Sequence, residues 1–238
     1  MGLDIYTGPL TRYYSGNWEN IVEKWARVND VEFKTIRPTN EKNENKEIDP
    51  AEILEAIKIW QNSLGKSLEE HLDEPFFWEE GNGLKYETDK PDFECYGALI
   101  LWAVYSEHPD LNRPLVHGKE WSEDPVYLSV IKQEFKTKYG QLINEVEFWF
   151  PVKFKFTFKA EAPCGNSFFM GSSFELFHQL KELNQNTWKA SEQTIKNWRK
   201  LIDPNNPSLE EKAKFGFSIV YNLTNFSISN KTPMKLDY

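Results

Sequence analysis

Hydrophobic positions recur along this chain with helical spacing in most segments and with strict alternation in a few. The longest helical signals have start chemistry of their own. Asp49-Pro50-Ala51-Glu52 offers a capping Asp, a proline at the first helical position and a glutamate at the third, and Ile53, Ile57, Trp60 and Leu64 follow on one face, with Gly65 as the expected stop. Ser67 to Glu70 reads as a second capping box opening a short helix. Residues 92–107 form a helix that is apolar on nearly every side from Ala98 to Tyr105, the pattern of a central, buried element. Further helices are expected after Asn17 (Trp18, Ile21, Val22, Trp25, Val28), over 124–138 (Val126, Val130, Ile131 and Phe135 inward) and after Ser172 (Phe174, Phe177, Leu180). Two more cover 191–202 (Ile195, Trp198, Ile202) and the stretch after Ser208, where Glu211 completes a capping box and Ala213, Gly216, Phe217, Val220 and Leu223 make the stripe.

Alternation is clearest at residues 152–160. Val152, Phe154, Phe156, Phe158 and Ala160 alternate with Lys153, Lys155, Thr157 and Lys159, which gives a strand with one buried face and one cationic face. Pro163 to Asn166 turns the chain and Ser167 to Gly171 returns, so a hairpin spans about 152–171. Leu3–Tyr6 and Val31–Ile36 read as further strands, and 38–49 as an exposed polar loop. The fold class predicted is α+β: one helix-dominant domain over 1–238 with a small antiparallel sheet.

Composition sharpens this picture at two points. Aromatic residues make up 15% of the chain, with 9 Trp and 17 Phe, which supplies a large core and surplus rings for a pocket or binding face. The formal net charge of −9 disfavours nucleic acid and anionic membranes as partners and favours a basic protein. Cys95 and Cys164 do not make a disulfide framework. The start Met1–Tyr6 has no secretory pattern, and the longest apolar run is too short to span a bilayer, so a cytoplasmic location is expected.

Candidate chemistry is sparse. The four histidines, His71, His108, His117 and His178, lack the spacing of a zinc site; Glu107-His108-Pro109-Asp110 with His117 is the nearest approach, and neither a metal nor a cofactor is expected. Glycine-rich phosphate loops and the GxSxG elbow are missing. Cys164 sits in a turn-like Pro-Cys-Gly-Asn without a partner histidine in sequence. Trp78-Glu79-Glu80, behind Phe76 and Phe77, sets two acids beside aromatic rings, as sugar-cleaving sites do, although an acidic loop is the plainer reading. Arg12-Tyr13-Tyr14 joins a cation to two phenols and would suit either an anion-reading pocket or a hydrogen-bonded corner.

The opening Met-Gly-Leu-Asp-Ile-Tyr-x-Gly-x-Leu-Thr-Arg-Tyr-Tyr, Trp18-Glu19, Leu101-Trp102-Ala103 with Glu107-His108-Pro109, Leu183-Asn184 with Thr187-Trp188, and the closing Pro233-Met-Lys-Leu-Asp-Tyr238 resemble an uncharacterised family of bacterial proteins. The resemblance covers most of the chain, implies a bacterial cytosolic protein and brings no activity. Two functional expectations follow. The first is a non-enzymatic binding protein of the immunity type that neutralises a basic partner. The alternative is a small-molecule or carbohydrate-acting enzyme whose site gathers distant residues such as Tyr13, Glu79, Glu80 and His108.

Overall fold

The computed structural model describes residues 3–32, 49–114, 121–200 and 207–237. In chain order the elements are β1 (Asp4–Thr7), α1 (Leu10–Tyr14), α2 (Ile21–Val28), α3 (Pro50–Leu68), β2 (Glu87–Asp89), α4 (Phe93–Ser106), α5 (Pro125–Ile131), α6 (Gly140–Ile143), β3 (Val146–Phe150), β4 (Phe158–Glu161), β5 (Ser167–Ser172), α7 (Ser173–Asn186), α8 (Glu192–Asn197), α9 (Leu209–Asn230) and β6 (Met234–Asp237). The fold is helix-dominant α+β, as expected.

The helix starts follow the capping chemistry in the sequence. Asp49 accepts from the Ala51 amide with Pro50 at the first position of α3, and Ser208 and Glu211 form a reciprocal box at the start of α9. Ser172 accepts from the Glu175 amide to open α7. Gly65 does not end α3. It lies within the helix, beside Phe76, and the helix continues to Leu68, where a single 3-10 turn takes the place of the expected second helix.

The sheet has six strands in the order β2-β1-β6-β3-β5-β4, and it is mixed rather than antiparallel. Neighbouring strands run antiparallel except β3 and β5, which pair in parallel through Val146–Phe169 and Phe150–Ser172. The parallel pair arises because β4 and β5 form the expected hairpin, and β5, its return strand, lies against β3 with β4 outside it at the sheet edge. The alternation at 152–160 holds in burial, with Val152 and Phe154 inside, but only Phe158–Glu161 pairs as strand. The C-terminal segment is inserted between β1 and β3 as β6. Val31 and Glu32 are not in a strand; the rest of the expected 31–36 strand, the 38–48 part of the polar loop, His117 and Ile202 lie outside the described residues.

Helices cover both sheet faces. On one side α4, α7 and α9 close over Ile5, Val146, Trp149, Met234 and Leu236. On the other, α1 and α3 join Phe76 and Trp78 over Phe148, Phe150 and Met170. Helix α4 is buried from Cys95 to Tyr105, as its all-round apolar pattern requires. It meets α9 at Gly216, where an added Cβ would stand 2.4 Å from the Cys95 carbonyl oxygen, so the backbones touch there directly. Phe135, expected to face inward, follows the end of α5 and is 37% exposed. Among the described residues no helix is long and apolar enough to cross a membrane.

Candidate functional site

Three of the residues expected to carry chemistry gather around α1. Arg12 donates from Nε to the Asn17 carbonyl and from Nη1 to the Leu84 carbonyl, and its guanidinium lies 4.4 Å from the Tyr86 ring centre. The Tyr13 hydroxyl donates to the Asp237 carboxylate, joining the two ends of the chain. The Tyr14 hydroxyl lies 3.9 Å from Cys164 Sγ, a weak contact. Beneath Tyr13 is Lys235, 7% exposed, with its ammonium 4.8 Å from that ring and 5.5 and 5.6 Å from the Phe148 and Phe168 rings. Burial pulls the Lys235 pKa below the ordinary lysine value, against the Asp237 carboxylate, which raises it. Burial likewise raises the Tyr13 and Tyr14 pKa values, with Asp237 and Cys164 adding to the shift.

Glu80 joins this corner in a holding role. Its carboxylate accepts from the Leu10 amide at 2.9 Å, the Thr11 amide at 2.8 Å, the Thr11 hydroxyl at 2.9 Å and Trp78 Nε1 at 2.6 Å. It thereby caps α1, whose proline at the N-cap has no side-chain acceptor of its own. Trp78 is buried against Phe150 and Phe76, while Glu79 and Phe77 face solvent. The acids expected as a pair therefore point into different surroundings. His108 follows α4 and packs tilted against Phe135 at 4.6 Å, with Nε2 buried and without a partner among the described residues. It takes no part in the α1 corner. Among the described residues no cluster of three His, Cys, Asp or Glu could hold a metal.

A cavity of about 680 Å³ opens elsewhere, between α4 and the sheet face that carries Val146 and Leu236. Its walls are mostly apolar: Leu3, Phe93, Ile100, Leu142, Ile143 and Phe169 are among them. Trp121 forms one side, pressed flat on Gly97, where a Cβ would come within 2.1 Å of the indole. Phe93 and Tyr127 pack on Trp121 at 5.5 and 5.3 Å. Polar groups are few and sit apart from one another in function. The Trp121 indole N–H is buried with no partner among the described residues. Neither the Tyr96 nor the Tyr127 hydroxyl makes a hydrogen bond among the described residues. Burial raises both phenols, Tyr127 to about 12. Glu145, Glu147 and Lys159 stand at the rim. A hollow of similar volume, 730 Å³, lies beside the end of α3, but its walls include the solvated Lys66, Glu69, Asp73 and Glu74. It lacks the enclosed apolar lining that retains a ligand.

Sequence reasoning singled out none of the cavity residues as a site, because they come from seven separated segments and most of the apolar ones read as ordinary core positions. The one available signal was the aromatic surplus. Comparison with protein-family models, with curated proteins and with solved structures returned no match to this chain.

Proposed function

We propose that this chain binds a small molecule with an apolar body and an oxygen acceptor, held between α4 and the sheet. The observation that carries the reading is a cavity of about 680 Å³ whose apolar wall holds the buried Trp121 Nε1, without a partner among the described residues, beside the Tyr96 and Tyr127 hydroxyls, for which the described residues supply no hydrogen bond. Buried polar groups are ordinarily satisfied, and a few of them in an apolar pocket fix the orientation of a ligand. The size falls within the ordinary range for small-molecule sites, roughly 300–1,000 Å³. The mostly apolar wall suits retention of a ligand, so binding is the activity assigned.

Titration with the neutral fluorophore Nile red tests this. Saturable binding is expected in the wild type, weakened about tenfold or more by Ile100→Phe and by Leu142→Phe, which fill the cavity while leaving the surface unchanged. Equal binding by the wild type and both filled variants, with thermal unfolding showing all three folded, would sink the reading.

A protein partner is the second reading, and one feature favours it. Trp25, Val28 and Val31 are 57%, 70% and 48% exposed, with Asp30 and Glu32 beside them, on a chain of net charge −9. Its test is co-purification of a basic protein that survives moderate salt and is lost with Trp25→Ser.

A further inference from the structure

The C-terminal ends of α4 and α7 line a second, partly open hollow of about 480 Å³, with the loop Pro109–Arg113 and Glu210 of α9 also in its wall. Trp102, 8% exposed, lies at its base with Trp188 stacked on it at 5.2 Å and 15°. The Arg113 guanidinium covers Trp102 at 3.7 Å from the ring centre. Three donors there are buried and have no acceptor among the described residues: Trp102 Nε1, Trp188 Nε1 and Arg113 Nε. Among the described residues the whole Arg113 fork makes neither a hydrogen bond nor an ion pair, and burial lowers its pKa against the field of Glu210. Glu210 itself is committed to Lys214 at 2.7 Å.

Unsatisfied donors of this kind are rare in folded proteins, and three in one hollow define the chemistry of what is missing. All three of the buried, unpartnered groups donate, so their complement is a set of oxygen acceptors. A guanidinium donates paired N–H groups to carboxylate or phosphate oxygens, and its planar fork on an indole is held ready to do so. The Trp102 ring is already in contact with both the Arg113 guanidinium and the stacked Trp188 ring, and the groups left open beside it are N–H donors. The net charge of −9 weighs against a polyanion. We infer that this hollow binds a small oxyanion, a carboxylate or a phosphate, through Arg113 and the indole N–H groups of Trp102 and Trp188.

The test compares thermal unfolding and tryptophan emission of the full chain in sodium phosphate, sodium acetate and sodium benzoate with sodium chloride at equal ionic strength. At least one oxyanion is expected to raise the unfolding midpoint and to change the emission saturably. Protection by phosphate alone or by the carboxylates alone identifies the source. Arg113→Gln is expected to weaken that binding about tenfold or more, the usual scale for a charged hydrogen bond. Trp188→Phe keeps the stack and removes one N–H, and is expected to weaken it by a smaller factor, which keeps the proposal testable if the arginine variant folds poorly. Ile100→Phe, which fills the other cavity, is expected to bind the anion as the wild type does, so the two sites fail separately. The inference is overturned if no oxyanion differs from chloride, or if Arg113→Gln and Trp188→Phe both bind as well as the wild type.

Discussion

Glu80 shows how one side chain is committed by its neighbours. Four donors converge on its carboxylate: two amides and a hydroxyl from α1, and the Trp78 indole. Adjacent Glu79 is exposed and bonds none of them. In sequence the two acids are equivalent, and the sugar-site reading needs both. In space, one of them ties the 78–80 segment to the start of α1. Removing a charged acceptor leaves partly buried amides unpaired, so Glu80→Ala is expected to cost about 3 kcal/mol in urea unfolding. Glu79→Ala should stay within about 0.5 kcal/mol. Equal effects of the two substitutions would refute this division of roles. Arg12 and Tyr13 follow the same logic. Arg12 Nε and Nη1 and the Tyr13 hydroxyl donate within the chain, which is the geometry of a hydrogen-bonded corner.

At the scale of elements, helices were legible where their signals are local. The boxes at Asp49 and Ser208, the cap at Ser172 and the apolar run of α4 each act within a few residues, so the sequence window contains the cause. The strands were less legible. Val146–Phe150 is buried on both faces, so it shows no alternation, and a short apolar run does not separate strand from buried helix. Its parallel pairing with β5 depends on where the hairpin folds back, which no local pattern states. Gly65 misled for a related reason: it lies beside Phe76, a contact distant in sequence, and the helix runs on. The close crossing of α4 and α9 gives a sharper test. Glycine to alanine ordinarily favours a helix interior by about 1 kcal/mol. At Gly216 the new methyl would stand 2.4 Å from the Cys95 carbonyl oxygen, a backbone atom that cannot swing away. Gly216→Ala is therefore expected to lower stability by about 2 kcal/mol despite its better propensity. A stabilised variant would show that the two helices can separate at no cost.

Across the whole molecule, the sheet buries aromatic side chains on both faces, and this sets its response to alkali. Tyr6, Tyr13, Tyr14 and Tyr96 have their pKa values raised mainly by burial, and Tyr105 and Tyr127 are raised to about 12. A phenol raised in the fold keeps its proton there after the unfolded chain has lost it. Stability from this source is complete below the unfolded value of about 10 and falls as pH rises beyond it. Lys235 acts in the opposite sense over a lower range. Its pKa is depressed by burial, so the fold gains as pH rises through that depressed value toward the unfolded lysine pKa of about 10.4, and gains nothing further above it. Above pH of about 10.5 the phenols dominate, joined by the Cys95 thiol that burial raises to about 12, and Tyr96, Tyr105 and Tyr127 share one core. The expected result is a steep base-induced unfolding in which tyrosinate absorbance and loss of ellipticity share one midpoint. Most of the phenols ionising near their ordinary value while ellipticity persists would contradict it. Tyr127→Phe, which removes one raised phenol from the cavity wall, should move that midpoint upward and at the same time weaken ligands held by that hydroxyl, so a single variant reports on both the fold and the cavity.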